Sequence, residues 1–169
     1  ALLARHPLIP VVTDPVLVAT GGGQLAEADL IPALKAALLP RTTVLTPNVA
    51  EARALTGLAD LSACAETLRL LGARYVLVTG GDEPTAAVEN RLHGPEGARI
   101  FRWPRLAGPF HGSGCTLAAA LAARLALGES VEVAVERAQA YVASTLAAAF
   151  RPGRGSAIPW RLRVTLSSC

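Results

Sequence analysis

Thr43-Val44-Leu45-Thr46-Pro47-Asn48-Val49-Ala50-Glu51-Ala52-Arg53-Ala54-Leu55 opens as a short β-branched run and passes at once into a helix-forming run that Gly57 stops. Residues 43–46 read as a strand and 48–55 as a helix. The same order recurs on both sides. Residues 8–13 read as a buried strand ending at Asp14-Pro15, and residues 29–39 as a helix that tolerates Pro32 in its first turn. Further on come a helix over 62–71, stopped by Gly72, and a strand over 75–79 that enters Gly80-Gly81. Residues 88–92 and 99–103 predict a β-hairpin around His93-Gly94-Pro95-Glu96-Gly97. The last third returns to helix over 114–127 and 130–150, where Val131, Val135, Ala138, Val142 and Leu146 keep a helical period. β and α alternate over most of the length, which predicts an α/β fold, a mostly parallel sheet flanked by helices. No internal repeat, linker or second domain is visible; the tail from Pro152 is rich in Gly, Pro and Arg and is expected to be irregular.

A chain of 169 residues, 51% hydrophobic, is long enough for one compact core. Its most apolar stretch, 117–127, is interrupted by Arg124 and ended by Gly128, far short of the ~20 apolar residues of a membrane span. Arg5, His6 and Pro7 likewise interrupt any signal-peptide core, so a soluble protein is expected. Cys64, Cys115 and Cys169 are odd in number and widely spaced, which argues for a reducing compartment, the cytoplasm, and against a disulfide framework or zinc site. The net charge of +3 rests on scattered arginines and one lysine, Lys35, and aromatic residues make up only 4%. Neither a polyanion-binding patch nor a base-stacking platform is expected, so no nucleic-acid partner.

In an open parallel sheet, ligands sit beyond the carboxyl ends of the strands. Four segments at such places carry polar residues or glycines: Asp14; Asn48 with Glu51; Gly80-Gly81-Asp82; and the loop Gly112 to Thr116. Asp14 before Pro15 also fits a turn. Asn48 and Glu51, three apart, fit a capping box as well as a pair that holds magnesium through water. Gly80-Gly81 fits a plain turn or a close approach of backbone to a nucleotide.

The last segment, His111-Gly112-Ser113-Gly114-Cys115-Thr116, opens a helix with two glycines and leaves several backbone N–H groups for an anion, with phosphate the expected guest. Cys115 falls in the first helical turn, where the dipole favours an anionic group, so one segment offers an anion hole and a basic or nucleophilic group. His111 reads as a packed loop residue, and Cys64 as core.

Taken in order, Asp14-Pro15-Val16, Thr46-Pro47-Asn48-Val49-Ala50-Glu51-Ala52, Val76-Leu77-Val78-Thr79-Gly80-Gly81 and His111-Gly112-Ser113-Gly114-Cys115-Thr116 resemble the hydroxymethylpyrimidine/phosphomethylpyrimidine kinases of thiamine biosynthesis, a family of the ribokinase-like superfamily. The resemblance runs from about Pro10 to Trp160, and Gly153-Arg154-Gly155 with Ile158-Pro159 resembles the family's closing Gly-x-Gly segment. A cysteine after the glycines separates this family from the sugar and nucleoside kinases, which carry aspartate there; pyridoxal kinases share the pattern and are the alternative. The resemblance implies that residues 1–160 are the C-terminal, ATP-side part of a ribokinase-like kinase domain, followed by an irregular tail over 161–169. It also implies that the N-terminal strands, roughly a third of the family's usual length, are missing. The absence of methionine fits a partial chain, and a non-catalytic nucleotide-binding remnant is the third alternative.

For individual residues, the resemblance implies an anion hole made by the backbone N–H groups of Gly112, Ser113, Gly114 and Cys115, with Cys115 taking the proton of the pyrimidine's hydroxymethyl group. Asn48, Glu51 and Asp14 would hold magnesium and align the triphosphate, and Thr79, Gly80, Gly81 and Thr116 would line the ATP side. The implied cofactors are ATP and magnesium, and the implied partners a small-molecule pyrimidine and a second subunit in a homodimer. The chain has Thr79 and Asp82 where many members carry lysine and histidine.

Overall fold

The computed structural model describes residues 2–17 and 29–162. A five-stranded sheet runs in chain order through β1 (Val12–Thr13), β2 (Val44–Leu45), β3 (Tyr75–Val78), β4 (Ala87–Gly94) and β5 (Gly97–Pro104). β1, β2 and β3 are parallel, with Val12 beside Val44 and Val44 beside Tyr75. β4 and β5 pair antiparallel, so the sheet is mixed: parallel where helical crossovers connect the strands, antiparallel where a tight hairpin does. The helices are α1 (Leu2–Arg5), α2 (Leu30–Ala33), α3 (Val49–Thr56), α4 (Leu61–Leu70), α5 (Ser113–Ala126) and α6 (Val131–Ala147). None of the described helices is long and apolar enough to cross a membrane.

The short parallel strands are apolar without alternation because both faces are covered. Leu45, Val76 and Val78 pack on one side with Val49, Ala52 and Leu55 of α3 and Cys64, Ala65 and Leu68 of α4. Val44, Tyr75 and Leu77 pack on the other with Leu117, Leu121 and Leu125 of α5 and Ala134, Val135 and Ala138 of α6. Adjacent residues of one strand thus serve opposite cores, as the period of two requires. Cys64 is fully buried, as expected of a core residue.

Four expectations are corrected. The strand over 8–13 is paired only at Val12–Thr13; Pro7 and Pro10 offer no ladder donors, and Leu8 is 95% exposed. The helix over 29–39 changes geometry after Ala33, through a π turn (Leu34–Leu38) into a 3-10 turn (Leu39–Arg41). The tail after Pro152 is not irregular throughout: Ala157 bridges Phe110, Ile158 bridges Phe150, and the Trp160 N–H donates to Thr145 O at 2.9 Å. Burial of Ala157 and Pro159 favours this return, and the Trp160 ring meets Phe150 edge to face at 5.2 Å between centroids. The Phe150 pairing also explains why α6 stops at Ala147, short of the expected end at 150. Residues 163–169 of the expected tail lie outside the described residues.

Candidate active site

All four polar segments lie at the carboxyl ends of β1, β2 and β3, and packing links them into one site. Asp14 follows β1, and its carboxylate accepts from the Thr46 hydroxyl at 3.2 Å, just past β2, and also forms a hydrogen bond with the Cys115 side chain. Burial raises the proton affinity of Asp14 above that of an ordinary aspartate, against the lowering effect of those two bonds. The turn after β2 is tied to the turn after β3: the Thr79 N–H donates to Pro47 O at 2.9 Å, and Asn48 and Thr79 form a parallel bridge.

Asn48 and Glu51 make the full capping box of α3. The Glu51 N–H donates to Asn48 Oδ1 at 2.8 Å and the Asn48 N–H donates to Glu51 Oε2 at 2.9 Å. The capping reading is therefore correct, yet it does not exhaust Glu51. Burial raises its pKa, the backbone N–H groups of Asn48 and Leu17 pull it back, and the charges of Asp14 and Asp82 push it up again. Glu51 thus carries its charge close enough to feel two further carboxylates, Asp14 and Asp82. That fits a cation: of the three, Asp14 and Glu51 are the pair that would suit Mg²⁺, which completes its octahedron with water and phosphate oxygens. Among the described residues no group of three metal-ligating side chains is positioned to hold an ion by itself, so Asp14 and Glu51 would act through such extra ligands.

The Gly112 to Thr116 loop starts α5 as expected. Gly112 is its N-cap at φ 87°, a left-handed conformation, and a Cβ there would stand 2.8 Å from Arg161 Nη2. No side chain caps this end. The Thr116 N–H donates to Gly112 O at 3.0 Å, whereas the N–H groups of Ser113, Gly114 and Cys115 precede the first possible intrahelical acceptor. Cys115 is exposed at this mouth. The returning tail braces the loop, since the His111 N–H donates to Ala157 O at 2.9 Å.

Two arginines of the site are not evident from the sequence, where they stand among scattered basic residues. Arg161 Nε donates to Thr116 Oγ1 at 2.9 Å, placing a cation over the loop Gly112 to Thr116. Arg105 reaches from the end of β5 to the turn after β3. Their neighbourhoods are set by the tail and the hairpin, contacts between segments far apart in sequence. A buried polar chain fixes the same turn: the Gly80 N–H donates to Asn90 Oδ1 at 3.0 Å, and Asn90 Nδ2 donates to Gln139 Oε1 at 2.7 Å.

The family model for phosphomethylpyrimidine kinase matches residues 1–160. A hydroxymethylpyrimidine/phosphomethylpyrimidine kinase of Streptomyces coelicolor is 40% identical over 152 residues, covering 86% of this chain and 56% of the relative. Among solved structures, an ADP complex of Bacillus subtilis pyridoxal kinase superimposes with a TM-score of 0.84 at 30% identity, over 93% of this chain and 62% of the other. A phosphomethylpyrimidine kinase of Clostridium difficile gives a TM-score of 0.72 at 26% identity, over 85% and 60%. The chain therefore spans little more than half of these relatives, and its fold is that of the ribokinase-like kinases. By the match over residues 1–160, joined to the motifs gathered at its strand ends, the chain belongs to the phosphomethylpyrimidine kinase family.

Proposed function

We propose that the protein transfers the γ-phosphoryl group of ATP to hydroxymethylpyrimidine and to its monophosphate. The observation that carries this reading is the uncapped N-terminus of α5, where the N–H groups of Ser113, Gly114 and Cys115 have no intrahelical acceptor and the exposed Cys115 side chain stands beside them. In the first transfer, Cys115 enters as the thiolate, its own proton released to water; the hydroxymethyl oxygen forms a bond to γ-phosphorus, the bond to the ADP oxygen breaks, and the hydroxyl proton passes to the thiolate, whereas in the second transfer a phosphate oxygen of the monophosphate is the nucleophile. The N–H groups of Gly112, Ser113, Gly114 and Cys115 face the charge that develops on the phosphoryl oxygens, where fixed dipoles contribute most. Asp14, whose affinity for a proton burial raises, holds the Cys115 side chain in place. Asp14, Asn48 and Glu51 would position magnesium, which offsets phosphate charge, while Thr79, Gly80, Gly81 and Thr116 line the nucleotide side. Free thiols at Cys64 and Cys115 agree with a cytoplasmic setting, and the homodimer belongs to the same proposal.

The likeness to a pyridoxal kinase at a TM-score of 0.84 supports one second reading, phosphorylation of pyridoxal. Incubating the 169-residue chain with magnesium and ATP, and following the phosphorylated product by mass spectrometry with each acceptor in turn, tests both. Product from the pyrimidine supports the first reading; product from pyridoxal alone replaces it with the second; no product from either, in a folded chain, contradicts catalysis by this chain.

A further inference from the structure

Arg105 is the first residue after β5, and its guanidinium is wrapped by the turn that follows β3. Nε donates to Thr85 O at 2.6 Å and Nη1 to Gly81 O at 2.7 Å. Nη2 donates to Glu83 O at 2.5 Å and, at longer range, to Gly80 O at 3.4 Å and Thr85 Oγ1 at 3.3 Å. One cation thus gathers four carbonyl oxygens of a six-residue turn whose own closures are sparse: Glu83 N–H to Gly80 O at 3.3 Å and Thr85 N–H to Glu83 O at 2.8 Å.

The orientation of those carbonyls has a consequence for the opposite side of the turn. A trans peptide holds its N–H antiparallel to its C=O, and no peptide bond among the described residues is cis. With Gly80 O and Gly81 O drawn to Arg105, the N–H groups of Gly81 and Asp82 face away from it. Two consecutive N–H groups directed one way form a small anion-binding concavity. Gly80 itself is fixed from the sheet side by Asn90, so Arg105 determines how the rest of the turn is presented.

We propose that Arg105 is a positioning residue for the nucleotide, holding residues 80–85 in the conformation that receives ATP. The proposal rests on the kinase reading above. Its chemistry calls for arginine: the planar fork reaches several carbonyls at once, whereas a lysine ammonium is a point charge with three donors. Preorganising the turn before ADP or ATP arrives removes an ordering cost from binding.

The test measures the Kd of ADP by calorimetry, with magnesium, for the wild-type chain and for Arg105→Ala, Arg105→Lys and Arg99→Ala. Amide exchange of residues 81–86 is recorded without nucleotide. Arg99 lies on the same hairpin but pairs with Glu136 at 2.9 Å, outside the site. The expected result is a Kd raised roughly tenfold in Arg105→Ala, faster exchange in the turn, less than half of the loss recovered by Arg105→Lys, and Arg99→Ala at the wild-type value. An unchanged Kd in Arg105→Ala overturns the proposal, even if its melting temperature falls; so does an equal loss in Arg99→Ala. If Arg105→Ala does not fold, a wild-type Kd in Arg105→Lys overturns it. A folded wild-type chain that binds no ADP refutes the kinase reading first, and the proposal with it.

Discussion

Replacing Gly80 by alanine separates a packing requirement from a conformational one. Neither Gly80 nor Gly81 has a positive φ, so backbone freedom distinguishes neither residue. A Cβ on Gly80, however, would overlap Glu89 O on β4, while a Cβ on Gly81 would meet nothing within 4 Å. Glu89 cannot yield easily, because it is registered with Arg102 in the β4–β5 ladder. Relief must come from Gly80 moving off the sheet, which stretches its 3.0 Å bond to Asn90. Overpacking of this kind costs about 1–3 kcal/mol and a weakened buried hydrogen bond about 1 kcal/mol more, so about 3 kcal/mol in all. For a chain of this size that lowers Tm by roughly 6–12 °C. Gly81→Ala should stay within about 2 °C of wild type. Thermal melts by circular dichroism, without nucleotide, decide the matter. A Gly80→Ala melt indistinguishable from wild type, or an equal drop in Gly81→Ala, would refute the reasoning.

Cys115→Ser should lower turnover by roughly 10²–10⁴ while ADP affinity stays near the wild-type value, and wild-type turnover would remove Cys115 as the proton acceptor. Glu51→Gln keeps a capping partner for Asn48 but removes a buried, repelled charge. Since burial raises the Glu51 pKa in the folded state, its ionised form costs stability above the folded pKa and that cost fades as pH falls through it toward the unfolded value. The variant should therefore be more stable than wild type at neutral pH and converge with it in acid, and urea titrations that show a constant or inverted gap would contradict this. Asn90→Ala removes the acceptor for Gly80 N–H and the donor to Gln139, and should cost about 2–4 kcal/mol in urea unfolding; a loss below about 1 kcal/mol would show that water replaces both bonds.

The parts of the site visible in the sequence are those governed by neighbours along the chain. Asn48 and Glu51 are three residues apart in one helix turn, and Gly112 to Cys115 are consecutive, so local chemistry alone identifies the cap and the open helix end. The strand-end rule then brings Asp14, Asn48, Gly80 and the α5 loop to one edge without any knowledge of distances. What local reasoning misses is cross-chain. Arg105 and Arg161 gain their roles from a turn and a helix start more than twenty residues away, and nothing beside them in sequence distinguishes them from Arg99 or Arg102. The return of Ala157 onto Phe110 is equally non-local, and a Gly/Pro/Arg-rich composition masks it. The apolar run at 8–13 misleads for the opposite reason: hydrophobicity marks a strand only where a neighbouring strand is in reach, and the run meets its neighbour only at its end, where Val11 bonds to Thr43 and Val44 and the ladder proper begins at Val12.

Amide exchange with and without magnesium and ATP measures whether the strand ends form one nucleotide site. Simultaneous protection of residues 48–51, 79–82 and 112–116, with the outer surface of α4 unaffected, is the predicted result. Protection confined to other regions, or none in a folded chain, would contradict a phosphoryl-transfer site at this edge of the sheet.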